Sequence, residues 1–298
     1  MKDFCGLISI VGRPNVGKST LLNRLIEQKV SITSRKSQTT RNNILGIKTK
    51  DNHQMVFIDT PGVHINASKV MNKVLNQSAL GAIEDADLII FMLQRNKINT
   101  LDELILERLK GVETKKICVI NKLDQVASIN SLLPVVEKLR SENDFAEIIP
   151  VSAKTGKNIN ELENMICQNL PENNHLYDSK TKFLAKESFM ISEIIREKII
   201  RFLGEELPHE TYVQLQKLED KENIINIDAE IIVARESQKG IVVGKNGAKL
   251  KKIGEKARID LEKFFNKKVF LKTWVKTKKN WNNDSDFISS LGIGSLYD

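Results

Sequence analysis

"GRPNVGKST", Gly12–Thr20, follows the apolar run Gly6–Val11 and precedes the helical spacing of Leu21, Leu22, Leu25 and Ile26. It fits G-x-x-x-x-G-K-[ST] through Gly12, Gly17, Lys18 and Ser19. A strand passing into a helix through such a loop predicts a phosphate cradle. The glycines let successive backbone N–H groups turn toward an anion, and the helix N-terminus adds positive potential. Lys18 is expected at the β- and γ-phosphates and Ser19 on Mg2+; Arg13, Pro14, Asn15, Val16 and Thr20 complete the loop. The spacing differs from the G-x-G-x-x-G of dinucleotide-binding folds, which disfavours a nicotinamide cofactor.

Outward from the loop, short β-branched runs alternate with helical periods. Strands are expected at Gly6–Val11, Met55–Asp59, Leu88–Leu93, Ile117–Asn121 and Ile148–Val151, and amphipathic stretches at Thr20–Gln28, Lys69–Ile83, Leu101–Gly111 and Ile129–Asn143. That alternation predicts an α/β domain over residues 1–170, a mostly parallel sheet with helices on both faces. The polar stretch "LPENNHLYDSKTK", 170–182, ends the pattern, and residues 171–182 read as a linker. A smaller α+β domain, 183–281, is expected next. It has a helix at Ala185–Leu203, strands at Tyr212–Lys217 and Ile224–Val233, a lysine-rich helical region at Gly240–Phe265 and a strand at Val269–Val275, before a tail over 282–298.

Three later segments name the base. "DTPG", Asp59–Gly62 with Thr60 and Pro61, follows a strand, so Asp59 stands at a strand's C-terminal end, where open sheets bind ligands. A carboxylate there holds Mg2+ through water, and the Gly62 N–H senses a γ-phosphate. "NKLD", Asn121, Lys122, Leu123 and Asp124, ends the next inner strand. The Asp124 carboxylate accepts two N–H donors from a guanine edge, a pattern adenine lacks, and leaving it unpaired costs a discrimination factor on the order of 10⁴. "SAK", Ser152, Ala153 and Lys154, offers a backbone N–H to guanine O6. In this order, each on a strand end, the set resembles the GTPase superfamily. The resemblance implies a switch at "SRKSQTTRNN", Ser34–Asn43, whose Thr40, with Thr39 as the alternative, reaches Mg2+ when γ-phosphate is present. Val63 stands where Ras-like enzymes place a water-orienting glutamine, which implies slow unaided hydrolysis. The resemblance further implies that Asn15 holds a K+ ion near the phosphates, where it stands in for an arginine finger. His64 reads as a switch-loop residue without a proton-transfer role rather than as a general base.

"VVGKNGAKLKKIG", Val242–Gly254, carries a G-x-x-G turn, Gly244-Lys245-Asn246-Gly247, between helical segments. Such a turn brings helix ends close to a single-stranded backbone, beside a groove for about four nucleotides. Lys239, Gly240, Ile241, Val243, Lys249 and Lys252 are the expected RNA contacts around it. Charge agrees: the net charge is +8, and Arg235–Trp281 holds 15 Lys+Arg against 4 Asp+Glu, while residues 1–234 are near neutral. An excess this concentrated favours a polyanionic partner, nucleic acid ahead of anionic lipid. With "SQTTRNNILGI", "DTPGVH", "LGEELPHE" and "KVFLKTWVKTKKNW", the chain resembles the Era family of bacterial GTPases from Gly6 to about Leu291. That resemblance implies a P-loop GTPase domain joined to a type II KH domain. It implies a monomer that binds GTP/GDP, Mg2+ and the 3′ region of small-subunit (16S) rRNA. Assembly of the 30S subunit, and a cytoplasmic location with peripheral association at the inner membrane, are implied with it. Two departures from that pattern are Gln94, where relatives commonly place an aspartate, and "INASK" after "GVH".

Cys5, Cys118 and Cys167 match no zinc spacing and read as core thiols of a reducing compartment. No signal peptide is expected ahead of the first strand, and the apolar run near Leu88–Leu93 is too short to span a bilayer. Three functions follow from different classes. One is a GTP-hydrolysing switch on rRNA, coupled to growth and division. Another is an RNA chaperone indifferent to turnover. The third is a membrane-associated cell-cycle regulator whose basic face meets lipid.

Overall fold

The computed structural model describes residues 2–31, 44–61, 70–203 and 210–291 of the 298-residue chain. Thr39, Thr40, Gly62, Val63 and His64 lie outside the described residues. The first domain is built on a seven-stranded sheet. Its elements are β1 (Phe4–Val11), α1 (Lys18–Ile26), β2 (Ile44–Lys50), β3 (His53–Asp59), α2 (Val70–Glu84), β4 (Leu88–Gln94), α3 (Thr100–Leu109), β5 (Lys115–Asn121), α4 (Leu133–Glu142), β6 (Glu147–Pro150), α5 (Ile159–Asn169) and β7 (Phe183–Leu184). Strand order is β6-β5-β4-β1-β3-β2-β7, parallel from β6 through β3, with β2 and β7 antiparallel to their neighbours.

Strands buried on both faces carry unbroken apolar runs, and β4 shows why. Leu88, Ile90 and Met92 face one core with Ile8, Ile10 and Leu21, while Ile89, Phe91 and Leu93 face the other with Ile105, Leu109 and Ile120. Helix α1 closes the first core through Leu21, Leu22, Leu25 and Ile26. Cys5 and Cys118 are buried as expected, and burial pushes the Cys118 thiol well above its usual range; Cys167 is only half-buried.

Several boundaries differ from the sequence reading. Strand β2 and helix α5 were not expected, and residues 129–132 form a 3-10 turn ahead of α4. The supposed linker is pinned to the sheet. Gln54, fully buried on β3, accepts from the Leu176 and Tyr177 N–H groups at 2.8 and 3.0 Å and donates to the Tyr177 carbonyl at 2.8 Å. Pro171 accepts from the Cys5 N–H, and Lys182 from that of Ile47. A polar run reads as free chain only when no strand edge offers it partners.

The second domain comprises α6 (Glu187–Phe202), β8 (Thr211–Asp220), β9 (Ile224–Val233), α7 (Glu236–Val243), α8 (Ala248–Phe265), β10 (Lys268–Thr277) and α9 (Ser285–Ser290). Its sheet runs β10-β9-β8, with β9 and β10 parallel and β8 antiparallel. Ile195, Ile199, Ile227, Ile231, Ile253, Ala257 and Leu261 form its core. Among the described residues the two domains meet at several places, and Phe189 of α6 packs against the core beneath α1. Lys29 Nζ lies 2.5 Å from Glu197 and 3.8 Å from Asp260. Met71 and Leu75 of α2 pack with Ile232, Ala234, Trp281 and Ile288.

Candidate functional site

Gly12–Thr20 curls over the C-terminal ends of β1 and β4. Gly17 has φ 110°, and a Cβ there would lie 2.3 Å from Nδ2 of Asn121. The glycine is needed because the loop touches the "NKLD" segment directly. Asn121 donates to the Val16 carbonyl at 2.8 Å and accepts from the Ala153 N–H at 3.0 Å, so one side chain joins the phosphate loop, "NKLD" and "SAK". Asp124 accepts from the Ser152 hydroxyl at 2.6 Å, and the Leu123 N–H donates to the Val151 carbonyl at 3.0 Å. Lys122 Nζ donates to the Asn15 carbonyl at 2.6 Å. Asn15 itself is left-handed, with φ 66°.

Lys18 is nearly buried at 7% exposure and donates to the Gly12 and Arg13 carbonyls at 2.9 and 3.3 Å. Burial lowers its pKa to about 8; Asp59 opposes that shift and Arg13 adds to it. The hydroxyls of Ser19 and Ser31 both donate to Oδ2 of Asp59, at 2.8 and 2.7 Å, and Asp59 has no exposed surface. Thr60 donates to the Ile10 carbonyl at 2.8 Å, and Pro61 is buried beside it. A hydroxyl and a carboxylate oxygen converging beside a buried ammonium fit Mg2+, which binds few protein oxygens and takes its other ligands from phosphate and water. Among the described residues no group of three or more His, Cys, Asp or Glu side chains is placed to hold a metal ion.

Four residues that no motif names hold this site. Arg24 of α1 donates to the Ala153 and Lys154 carbonyls at 3.2 and 2.7 Å. Asn23 accepts from the Val30 and Ser31 N–H groups and donates to the Ser31 carbonyl, which sets the Ser31 hydroxyl on Asp59. Asp102 is fully buried, caps α3 reciprocally with Asn99, and lies 3.1 Å from Arg13 Nε. The "NTLD" spacing of that cap was readable; its tie to the phosphate loop was not.

In the second domain α7 ends at Gly244, φ 73°, a 3-10 turn spans Lys245–Gly247 with Asn246 at φ 51°, and α8 starts from Gly247. A Cβ on Gly244 would meet that of Lys249 at 2.7 Å, whereas nothing lies within 4 Å of one on Gly247. The turn is therefore tight on its inner side and open on its outer side. Gly240, Ile241, Lys245, Asn246 and Lys252 are exposed, and Lys239, Val243, Gly247 and Lys249 half-buried. Lys252 also covers the Phe202 ring at 5.3 Å. Val242 and Ile253, on either side of the turn in sequence, belong to the core.

The model of the 50S ribosome-binding GTPase family matches residues 7–122, and that of the KH domain matches residues 206–282. GTPase Era of Coxiella burnetii (strain Dugway 5J108-111) is 46% identical over 290 residues, covering 97% of this chain and 98% of the relative. GTPase Era of Haemophilus influenzae (strain PittGG) is 45% identical over 292 residues, covering 98% and 97%. Among solved structures, an Aquifex aeolicus Era variant bound to GDP·AlF4− superposes with TM-score 0.93 at 35% identity, covering 98% of this chain and 99% of that one. An Era in complex with MgGDPNP and nucleotides 1506–1542 of 16S ribosomal RNA superposes with TM-score 0.94 at 36% identity, covering 97% and 99%.

Proposed function

The chain belongs to the Era family of GTPases, and we propose that it is a GTP-driven switch acting on the 3′ region of small-subunit rRNA during 30S assembly. One observation carries the reading: the open outer side of the Gly244–Gly247 turn, on a basic face, in a chain that also holds the nucleotide constellation. The relative bound to a 16S rRNA fragment supports the same partner. We divide the chain into a GTPase domain that runs through β7 (Phe183–Leu184) and a KH domain that begins at α6 (Glu187–Phe202), so the expected boundaries at 170 and 183 both move toward the C-terminus.

Hydrolysis converts GTP and water to GDP and phosphate. Lys18, with the N–H groups of Gly12–Thr20, holds the β- and γ-phosphates. Ser19 and Asp59 hold Mg2+, which neutralises phosphate charge when bound. Asp124 with Ser152–Lys154 reads guanine, and Asn121 keeps that reader against the loop. Thr40 and Gly62 are assigned to γ-phosphate sensing, and Val63, which cannot orient water by hydrogen bonding, to slow turnover. Asn15 is assigned to K+. Rates should be higher in K+ than in Na+, and Asn15→Gly, which tolerates φ 66°, should erase the difference while nucleotide affinity stays. Equal rates of the native protein in the two salts would remove the ion.

The RNA assignment is tested by Gly247→Asp. A carboxylate on the open side of the turn meets the phosphates, so affinity for a single-stranded 3′-terminal rRNA oligonucleotide should fall more than about tenfold. GDP affinity measured without RNA should be unchanged. Unaltered RNA binding would sink the KH assignment, and RNA-independent retention on anionic vesicles at matched salt would favour the membrane reading.

A further inference from the structure

Lys122 reaches sideways across three strand ends. Strand β5, ending at Asn121, pairs with β4, ending at Gln94, and β4 pairs with β1, whose loop carries Asn15. Gln94 stands in register with Asn121, midway along that reach. From β5, Lys122 Nζ donates to the Asn15 carbonyl at 2.6 Å and, on the way, to Oε1 of Gln94. Lys122 is left-handed, φ 66°. The bridge is built in a cationic neighbourhood: burial, Arg95 and Arg13 disfavour the ammonium, and Asp124 favours it. A neutral amide oxygen at Gln94 supplies an acceptor without cancelling the charge.

We infer that Gln94 is a positioning residue for nucleotide binding, holding the Lys122 ammonium across the end of β4 and thereby fixing the phosphate loop relative to the guanine-reading segment. The inference rests on the nucleotide site proposed above. A hydrogen bond to a charged group is strong, and a partly buried ammonium that loses one acceptor is left undersatisfied. The loop then drifts from the base reader, and every guanine nucleotide binds less well whatever its phosphate count.

Equilibrium titration of the full-length protein with fluorescent GDP and with a non-hydrolysable GTP analogue, in Mg2+, tests the bridge. Gln94→Leu should weaken both ligands equally, by roughly tenfold, and leave the preference for guanine over xanthine nucleotide intact, because Asp124 is untouched. Gln94→Glu keeps an acceptor at the same reach and should bind within about twofold of native. In a Lys122→Met background Gln94→Leu should cost nothing further, since its effect runs through the lysine. Native-like binding by Gln94→Leu, full additivity with Lys122→Met, or a Gln94→Glu variant as weak as Gln94→Leu would each overturn the bridge. If the leucine variant fails to fold, Gln94→Asn decides: it withdraws the amide by one methylene and should weaken binding, and native affinity there overturns the inference. A native protein that bound no guanine nucleotide would instead sink the nucleotide site itself.

Discussion

Lys18 carries the residue scale because its charge is conditional. Its pKa, lowered to about 8 chiefly by burial, lies far below that of a lysine in an unfolded chain, about 10.4. Bound phosphate favours the ammonium and raises that value again. Binding therefore takes up a proton wherever the free site is partly neutral, and affinity falls as pH rises past about 8, by up to about tenfold per pH unit. The expected signature is proton uptake by calorimetry at pH 8.5 in two buffers of different ionisation enthalpy, vanishing near pH 6.5. No uptake at pH 8.5 would mean Lys18 is charged before phosphate arrives. Asp124 and Asn121 show a different logic: their side chains are held by Ser152, Val16 and Ala153, so the segment to which guanine reading is assigned is organised by contacts within the protein.

At the scale of elements, the segment 171–182 depends on one side chain of β3. Gln54 satisfies the Leu176 and Tyr177 N–H groups and the Tyr177 carbonyl, and it donates to Thr49 at 3.0 Å. Gln54→Leu fits the space but leaves those backbone groups without partners, at about 2–4 kcal/mol. Urea unfolding should register that loss, and hydrogen exchange at residues 176 and 177 should accelerate while the β1 amides stay protected. Unchanged exchange there would show that the strand edge, through Pro171 and Lys182, holds the segment alone. Helix α3 makes the complementary point. Its N-terminal cap is local in sequence, yet Asp102 also faces Arg13, 89 residues away.

Across the whole molecule, the interdomain contacts flank the segments to which nucleotide sensing is assigned. Lys29, paired with Glu197 and Asp260, precedes residues 32–43 on the chain, and Met71 and Leu75, packed with Trp281 and Ile288, follow residues 62–69. Those contacts join the flanks of both segments to the KH domain, and coupling carried through them would be reciprocal. RNA affinity should differ between GDP and a non-hydrolysable GTP analogue by about 5–150-fold, the usual range for coupled sites. Lys29→Met should narrow that ratio without altering nucleotide affinity of the RNA-free protein. Glu197 keeps Lys198 and Arg201 as partners, at 3.3 and 2.6 Å, so the variant leaves no buried charge alone. Coincident titrations in the two nucleotides would reduce the domains to tethered neighbours.

The order of motifs along this chain determined by itself the nucleotide class, the parallel sheet and the glycine turn of the KH domain. Glycine spacing, strand-end carboxylates and apolar runs are local requirements of phosphate binding and two-faced burial. Only tertiary structure decided that residues 171–182 are pinned to the sheet, that Val242 and Ile253 pack inward, that Arg24, Ser31, Asn23 and Asp102 bond the loop and strand ends of the candidate site, and that Gln94 meets Lys122. Each of these depends on a partner brought near by sheet order. Strand β2 stayed hidden because "ILGIKTK" is interrupted by Gly46, whose missing side chain lets it lie against Leu22 and Ile26. A contact such as Gln94 with Lys122, 28 residues apart, exists because two parallel strands end side by side. Sequence spacing carries no trace of it.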